Sequence, residues 1–401
     1  MRCVKDWRRC GVSEGIVGAE TGKARLAPTS TFVVSVVCTV LNEGESIRPL
    51  MESLCGQTRM PDEILFVDGG SSDNTVAVLN EYVERLPLRV IVEAGCNISA
   101  GRNRGIADAQ GTLICVTDAG VVLSPEWVEA LTAPLLDDPR VRVVAGWFEA
   151  APHTAFEAAL GATTLPQLDE IKLPTFLPSS RSVAFRKAVW AAVGGYPEWI
   201  DFCEDLIFDL RLKQVAGEFA FAPRAVAHFR PRRTLGAFYR QYYRYARGDG
   251  KADLWRKRHL IRYGTYLFAV PLVILAGVFI HPLLWLLSIP GAVVYLAAPY
   301  RRLPEIMRRQ PQRSPLDWLY AIAMVPIIRV VGDVAKMIAV GLEEDVPADW
   351  RGYHAAYLGL VSRIPRTATR LELEPLAEEL GCRTVALPAL STGVYGYPPE
   401  L

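Results

Sequence analysis

Carboxylates end two short apolar runs, a placement that suits ligand binding. Asp118 ends the run in GTLICVTDAG, where Leu113 to Val116 has the length and β-branching of a buried strand. Asp68 ends a second run in EILFVDGG. Ligands of open α/β sheets bind beyond the carboxyl ends of the strands. One such acid could simply cap the next turn, but two at corresponding places favour a shared site.

A pair of acids, Glu204 and Asp205, opens an amphipathic stretch in GGYPEWIDFCEDLIFDL. Neighbouring carboxylates raise each other's pKa, and a carboxylate of raised pKa suits the removal of a proton from a hydroxyl group. The same two acids would also stabilise a helix N-terminus through its dipole. From the residues alone, both interpretations stay open.

The elements that must position these acids alternate between strands and helices. FVVSVVCTV has the composition of a buried strand, and the apolar residues of the segment after it, SIRPLMESL, recur at helical spacing. EILFVD with SSDNTVAVLNEYV, and LRVIVEAG with ISAGRNRGIADAQ, repeat the arrangement. This alternation predicts an α/β fold with a mostly parallel, mixed sheet covered by helices on both faces.

Composition limits the classes of protein that fit. A chain of 401 residues has room for one large domain and a smaller part, and 51% hydrophobic residues with a mean hydropathy of +0.17 is high for a purely soluble protein. The net charge of +1 gives no overall field for nucleic acid. The eight cysteines form no CxxC pair, which favours reduced packing cysteines and argues against structural zinc.

Four segments, in order, resemble the motifs of glycosyltransferase family 2, the inverting nucleotide-sugar enzymes of the GT-A fold. They are TVLNE, VDGGSSDNT, GRNRGI and TDAG, and the resemblance spans about Phe32 to Arg262. It implies that Asp68 contacts the nucleobase, that Asn42 and Glu43 line the same pocket, and that Arg102 lies near the nucleotide. Carboxylates accept from base and ribose groups, and arginine suits a diphosphate.

The metal motif departs from that family's usual Asp-X-Asp. This chain has Asp118, Ala119 and Gly120, so one carboxylate is missing. Mg²⁺ can be held by one carboxylate together with substrate phosphates, so we still expect a divalent cation, Mg²⁺ or Mn²⁺, at Asp118. The resemblance to other GT-A enzymes adds His228 as a candidate ligand. A lone histidine is more often structural.

The resemblance also gives roles to the acid pair and to a later basic segment. Asp205 would be the general base toward an acceptor hydroxyl, with Glu204 as its neighbour. FYRQYYRYARGDG resembles a Gln-X-X-Arg-Trp motif, with Gln241, Arg244 and then Tyr245 in place of Trp. Arginine can stabilise the leaving diphosphate, and an aromatic ring can stack on a sugar. A basic helix beside a membrane is the alternative explanation for this segment.

A membrane region is expected after the catalytic domain. Tyr263 to Tyr300 contains no Asp, Glu, Lys or Arg, and this length suffices for two spans of about 20 residues, broken at His281 and Pro282. Basic residues precede the run and also follow it, which places both flanks and the catalytic domain in the cytoplasm. The expected location is therefore the cell membrane, with more than one pass.

A third apolar stretch, Leu316 to Leu342, carries Arg329, Asp333 and Lys336 on one helical face. Such a pattern fits an interfacial helix, or a span whose polar face packs inward. The expected organisation is a flexible extension over 1–30, a GT-A domain over 31–262, a membrane region over 263–342 and a tail over 343–401. Within the tail, about Leu371 to Pro399 resembles a fragment of a macro domain, too short to bury its own core.

These expectations combine into two hypotheses. The first is an inverting glycosyltransferase that takes a sugar from a nucleotide-sugar, with a UDP-sugar preferred, and passes it to a lipid-linked or polysaccharide acceptor at the cytoplasmic membrane face. The second is a catalytically weak, nucleotide-binding membrane scaffold, suggested by Gly120 where an acid is expected. A scaffold has no need of an acid pair or of an arginine for a leaving group, which favours the first.

Overall fold

The computed structural model describes residues 32–311 and 313–339. The predicted extension over 1–30 and the predicted tail over 343–401, with its macro-like segment, lie outside the described residues. The strands are β1 Val34–Val40, β2 Glu63–Asp68, β3 Leu88–Val92, β4 Leu113–Asp118, β5 Val121–Leu123, β6 Val143–Ala150, β7 Val183–Arg186 and β8 Ala220–Phe229.

Twelve α-helices follow or separate these strands in the described part of the chain. They are α1 Arg48–Cys55, α2 Thr75–Asn80, α3 Ile98–Asp108, α4 Trp127–Asp137, α5 Ala155–Thr164, α6 Lys187–Ala192, α7 Glu204–Ala216, α8 Leu235–Lys251, α9 Arg256–Tyr263, α10 Val270–Phe279, α11 Ser288–Arg308 and α12 Pro315–Ala339. A π-helical turn over Gly264–Ala269 joins α9 to α10, and a 3₁₀ segment over Pro282–Leu287 precedes α11.

The strands form one mixed sheet in the order β3-β2-β1-β4-β7-β6-β8-β5. The first four strands in this order, β3, β2, β1 and β4, run parallel to one another. Strand β7 is antiparallel to β4 and to β6, and β5 is antiparallel to β8. This confirms the predicted α/β class with a mixed, partly parallel sheet. The alternation of side chains along β1 explains the two covered faces: Val36 and Cys38 pack in one core layer, whereas Val37 packs in the other.

The order of the strands creates the point where a ligand site is expected. From β1 the chain moves outward on one side through β2 and β3, and then returns to place β4 on the other side of β1. The crevice outside the carboxyl ends of β1 and β4 is thus a topological switch point. Thr39 of β1 is the register partner of Asp118, the last residue of β4.

Two described helical segments are long and apolar enough to cross a membrane, Arg256–Phe279 and Pro282–Arg308, each with a mean hydropathy of 1.6. They meet at His281 and Pro282, where the sequence predicts the break. Their apolar side chains face outward, and Phe279 and Val294 are each 79% exposed. Such surfaces are costly in water.

Helix α12 is two-sided. Val325 and Ile328 pack with Phe156 of α5 and Phe238 of α8 in a core cluster separate from the sheet. The polar residues also face inward, because Asp333 accepts from the Nε of Arg262 at 2.7 Å. Leu316, Leu319 and Ile338 are exposed on the outer side. The polar face of α12 therefore packs inward, and part of its apolar surface is exposed.

Candidate active site

A single cavity of about 1480 Å³ connects the switch point with the apolar helices. Its walls include the ends of β1 and β4, the start of α7, the length of α8, and parts of α9, α11 and α12. Thirteen arginines and lysines line it against nine aspartates and glutamates. The excess of positive charge suits a ligand that carries phosphate groups.

Arg102 of α3 joins the acids of this cavity. Its Nη2 donates to Oδ1 of Asp118 at 2.7 Å, and its Nη1 donates to Oε1 of Glu204 at 2.8 Å. The side chain is 2% exposed, and its guanidinium lies 5.1 Å from the ring centroid of Tyr196. A buried cation requires this compensation, because desolvation of a charge costs several kcal/mol. Arg102 is thus a fixed part of the cavity wall, beside the acids.

Asp118 lies between two arginines. Besides Arg102, the Nε of Arg181 is 3.6 Å from Oδ2 of Asp118, beyond hydrogen-bonding distance. Arg181 is held by Ser179, whose Oγ accepts from its Nη1 at 3.0 Å, and by the ring of Phe229 at 4.7 Å. Oδ1 of Asp118 is therefore hydrogen-bonded to Arg102, Oδ2 is within ion-pair range of Arg181, and the side chain is 25% exposed where it lines the cavity.

The acid pair begins α7 at a sharp turn. Cys203 before it has a φ of 67°, and the chain passes so close to α8 that a Cβ on Gly248 would meet the Phe202 carbonyl oxygen at 2.5 Å. Glu204 is buried. Its pKa is raised to about 7, mainly by burial and next by the adjacent Asp205 carboxylate, while Arg102 acts to lower it. Both acids line the cavity.

Asp205 is the more accessible acid of the pair. Its Oδ1 accepts from the backbone N–H of Leu206 at 2.8 Å, so the first turn of α7 orients its side chain. One turn further along α7, Asp209 is 2% exposed. Its pKa is raised well above its usual value, mainly by burial and next by the Asp205 charge. In the described part of the chain, its Oδ2 has no hydrogen-bond partner.

Asp68 stabilises the loop after β2. Asp68 is 1% exposed, and its carboxylate accepts from the N–H groups of Gly70 and Ser71 and from the Ser71 hydroxyl. In this structure it holds its own turn instead of facing the cavity, whose lining there comes from Gly69 and Glu43. Asn42, at a φ of 54°, braces the same turn by accepting from the Ser72 N–H at 2.9 Å.

The basic segment of α8 lies along the cavity. Gln241, Arg244 and Tyr245 all line it. The Nε2 of Gln241 donates to the Tyr245 hydroxyl at 2.7 Å, and the Arg244 guanidinium lies 5.7 Å from the Phe202 ring. Gln241 and Arg244 therefore line the same cavity as the acid pair.

His228 is not among the residues that line the cavity. It lies on β8 opposite Val122 of β5, and its Nδ1 is 3.9 Å from Oε2 of Glu149. Burial lowers the pKa of its imidazole. Within residues 32–311 and 313–339, no three His, Cys, Asp or Glu side chains come together in the geometry of a metal site. Asp118 is thus the one predicted metal ligand that faces the cavity.

Most of the predicted site residues converge on the cavity. Those that line it are Glu43, Arg102, Asp118, Glu204, Asp205, Gln241 and Arg244, and those that do not are Asn42, Asp68 and His228. Sequence reasoning missed Arg181 and Tyr196, which contact Asp118 and Arg102. An arginine two residues before the apolar run of β7 was the available signal for Arg181, but only the sheet order brings it beside β4.

Family models match three parts of the chain. Glycosyl transferase family 2 matches residues 35–181, and glycosyl transferase family group 2 matches residues 113–328, which is more than half of the 401 residues. A macro domain model matches residues 366–401. The last match confirms the resemblance of the C-terminal segment.

Curated relatives carry related names. The uncharacterized glycosyltransferase YibD of Escherichia coli is 36% identical over 27% of this chain and 32% of its own length. The probable glycosyltransferase YdaM of Bacillus subtilis is 26% identical over 54% and 55%, and the O-antigen chain rhamnosyltransferase WbaN of Salmonella anatum is 25% identical over 42% and 56%. The matched region spans from about a third to just over half of the length of these relatives.

A solved mannosyltransferase of Pyrobaculum calidifontis, in complex with GDP-Man and Mn²⁺, aligns over 77% of this chain and 88% of its own. The identity is 17% and the TM-score is 0.45. A likeness at this level carries no conclusion about the present site.

Proposed function

This chain belongs to glycosyl transferase family group 2, and from that premise we propose that it is a membrane-anchored, inverting enzyme of the GT-A type. It takes a sugar from a nucleotide-sugar, preferably a UDP-sugar, and passes it to a lipid-linked or polysaccharide acceptor. The observation that best supports this proposal is that one cavity is lined by the strand-end acid, the acid pair, the cations of α8 and residues of the apolar helices.

The chemistry follows from the position of each group. The nucleotide occupies the crevice beyond β1 and β4, beside Gly69 and Glu43. An acceptor hydroxyl attacks the anomeric carbon while the bond from that carbon to the diphosphate oxygen breaks, and the hydroxyl proton passes to Asp205. Attack from the side opposite the leaving group inverts the anomeric configuration. Arg181 and Arg244 stabilise the negative charge of the departing diphosphate.

The two acids of the pair have different tasks in this proposal. Asp205 lines the cavity in the first turn of α7, where an acceptor hydroxyl can reach it. Glu204 is held by Arg102, and its raised pKa leaves it partly protonated near neutral pH. A partly protonated neighbour limits the negative charge around Asp205 and makes Glu204 the second candidate for the base.

A divalent cation, Mg²⁺ or Mn²⁺, fits beside Asp118. Asp118 lines the cavity with its side chain 25% exposed, and a hard cation can be held by one carboxylate with diphosphate oxygens and water. When bound, it would neutralise charge on the diphosphate. The proposal does not extend to His228, because that residue does not line the cavity. Arg181, on the other side of Asp118, also neutralises part of the negative charge of the diphosphate in this proposal.

The membrane location is supported by the two long apolar segments and their exposed side chains. Basic residues lie on both flanks, so the site faces the cytoplasm in this proposal. The name of one relative, an O-antigen chain rhamnosyltransferase, supports a polysaccharide or lipid-linked acceptor.

The test is a screen of UDP-, GDP- and dTDP-sugars for release of the nucleoside diphosphate, with the full chain in membranes that supply acceptor. We expect turnover with one class of donor. Nucleotide binding without turnover across all donors would instead support the scaffold hypothesis. The acid pair within the cavity argues against that second function, because a scaffold does not need a base.

A further inference from the structure

Five polar residues of the cavity wall are in contact one after another, between the acid pair and the apolar helices. This polar row consists of Cys203, Asp249, His259, Arg262 and Asp333. It starts at the residue directly before Glu204 and ends on α12. The transfer chemistry described above gives no role to any of these residues, so their connection needs an explanation of its own.

Cys203 is held in an unfavourable conformation directly before the acid pair. Its φ of 67° lies in the left-handed region, which a residue with a Cβ adopts only at a cost. Its S–H group is shared between the backbone carbonyl of Tyr245 at 3.4 Å and Oδ1 of Asp249 at 3.5 Å. The turn is thus anchored on α8 by this side chain and, through the close approach of Phe202 to Gly248, by its backbone.

His259 of α9 orients the Asp249 carboxylate from the other side. Arginine only donates hydrogen bonds, so the 3.1 Å contact between Nη1 of Arg262 and Nδ1 of His259 makes Nδ1 the acceptor. In that tautomer the ring proton is on Nε2, which lies 3.4 Å from Oδ2 of Asp249. Each oxygen of Asp249 therefore has its own contact, Oδ1 with the Cys203 sulfur and Oδ2 with the imidazole.

The far end of the polar row is fixed in the apolar helices. The Nε of Arg262 donates to Oδ1 of Asp333 at 2.7 Å, and the Tyr295 hydroxyl of α11 donates to Oδ2 of Asp333. Both charged side chains are largely removed from solvent. Breaking a buried ion pair is strongly destabilising, so this end of the row is a firm support for His259 and, through it, for Asp249.

We propose that Asp249 is a positioning residue, which holds the Cys203 turn and thereby sets the direction in which Asp205 enters the cavity. Asp205 lies two residues after Cys203, in the first turn of α7, so a change of backbone conformation at Cys203 would move its carboxylate. A displacement of about 1 Å at a reacting group can lower the rate about 10²-fold. The inference rests on the proposed function, in which Asp205 accepts the proton of the acceptor hydroxyl.

The kinetic test compares Asp249→Asn with the wild type, using the full chain in membranes that supply acceptor. Asn keeps the shape of Asp but replaces one acceptor oxygen with a donor. We expect kcat to fall about 10-fold and KM for the nucleotide-sugar to stay unchanged. In an Asp205→Asn background the same change should have almost no further effect, because the positioned group is already absent. An equal fold loss in both backgrounds would overturn the proposal.

Asp253→Asn is the matched control. Asp253 follows α8, pairs with Arg256 and does not line the cavity, and Asn tolerates its left-handed backbone, so kcat should stay at the wild-type value. Rescue is tested at the other end of the contact. Cys203→Ser keeps a donor and should retain most of kcat, whereas Cys203→Ala should lose about as much as Asp249→Asn. Wild-type kcat in folded Cys203→Ala would contradict the proposal.

Alkylation of Cys203 tests the contact without any turnover. Burial raises the pKa of its thiol, and the Asp249 charge raises it further. Asp249→Asn should therefore make alkylation of Cys203 by iodoacetamide about 10-fold faster at a fixed pH, as mapped by mass spectrometry. The fully buried Cys38 and Cys115 should stay unlabelled in a folded variant.

The labelling result also separates this inference from the proposed function. An unchanged alkylation rate at Cys203 in Asp249→Asn would overturn the inference, whatever the activity of the wild type. Absence of turnover in the wild type, together with faster labelling in the variant, would count against the proposed function alone.

Discussion

The Nη1 of Arg102 lies 2.8 Å from Oε1 of Glu204, so a residue of α3 is tied to the first residue of α7. The same guanidinium holds Asp118 at the end of β4. Burial and Asp205 raise the pKa of Glu204, and Arg102 opposes them, with a resulting value of about 7. The charge of the acid pair therefore depends on a side chain that is itself removed from solvent.

Replacing Arg102 should change the pH dependence of the enzyme. Arg102→Gln removes the cation that favours ionised Glu204, so the pKa of Glu204 should rise further above its usual value. If ionised Glu204 is needed for turnover, the acidic limb of the profile of kcat against pH will move to higher pH. Arg104→Gln is the control, because Arg104 lies on the exposed side of the same helix. An unshifted profile in folded Arg102→Gln would show that Glu204 ionisation does not limit turnover.

Asp205→Asn separates the base from the helix-stabilising role. Asn keeps the shape of Asp but cannot accept the acceptor's proton, so transfer should fall about 10²- to 10⁴-fold. Loss of the favourable charge at the start of α7 should cost only about 1 kcal/mol or less of folding free energy. Nucleotide-sugar binding, measured by calorimetry, should stay near the wild-type value.

Glu204→Gln is the companion to that variant. We expect a smaller loss of transfer, with altered pH dependence, because Glu204 is bound to Arg102 and less accessible. If Asp205→Asn transfers sugar at a near wild-type rate and Glu204→Gln loses transfer, Glu204 is the general base and Asp205 is its neighbour.

Gly120→Asp tests the metal proposal by restoring the missing acid. A Cβ at Gly120 would meet no atom within 4 Å, so the substitution is sterically permitted. A second carboxylate should tighten Mg²⁺ or Mn²⁺ binding and lower the metal concentration that gives half-maximal activity. The measurement is activity against free metal, with Gly120→Asn as the uncharged control. Full wild-type activity in excess EDTA would instead assign the leaving-group role to Arg181 and Arg244.

Asp209 gives a prediction about stability. Because burial raises its pKa in the folded protein, its ionisation opposes folding, and stability is lost as pH rises above the unfolded value of about 4. Asp209→Asn should therefore stabilise the protein near pH 7, by on the order of 1 kcal/mol, and the gain should shrink toward pH 4. Melting temperature in detergent at several pH values measures this. Asp137→Asn, at an exposed position, should show no such trend.

The strand-end acids illustrate what sequence could and could not predict. Local pattern located both Asp118 and Asp68 correctly at strand ends. It could not predict the different contacts of the two acids. Asp68 accepts hydrogen bonds from the N–H groups of its own turn, whereas Asp118 contacts arginines from α3 and from the loop before β7. Those partners are 16 and 63 residues away in sequence. Periodicity likewise predicted the polar face of α12, but not that α5 and α8 cover its other residues.

The two-sided packing of α12 determines which fragments of this protein can be stable. A recombinant fragment that ends before the first apolar segment would omit Val325 and Ile328, both fully buried, and would uncover Phe238 of α8. It would also lack one wall of the cavity that contains Asp205. The catalytic part is therefore not separable by truncation at Arg262. Expression of an isolated domain should yield an unstable product, and functional work requires the chain through at least Ala339.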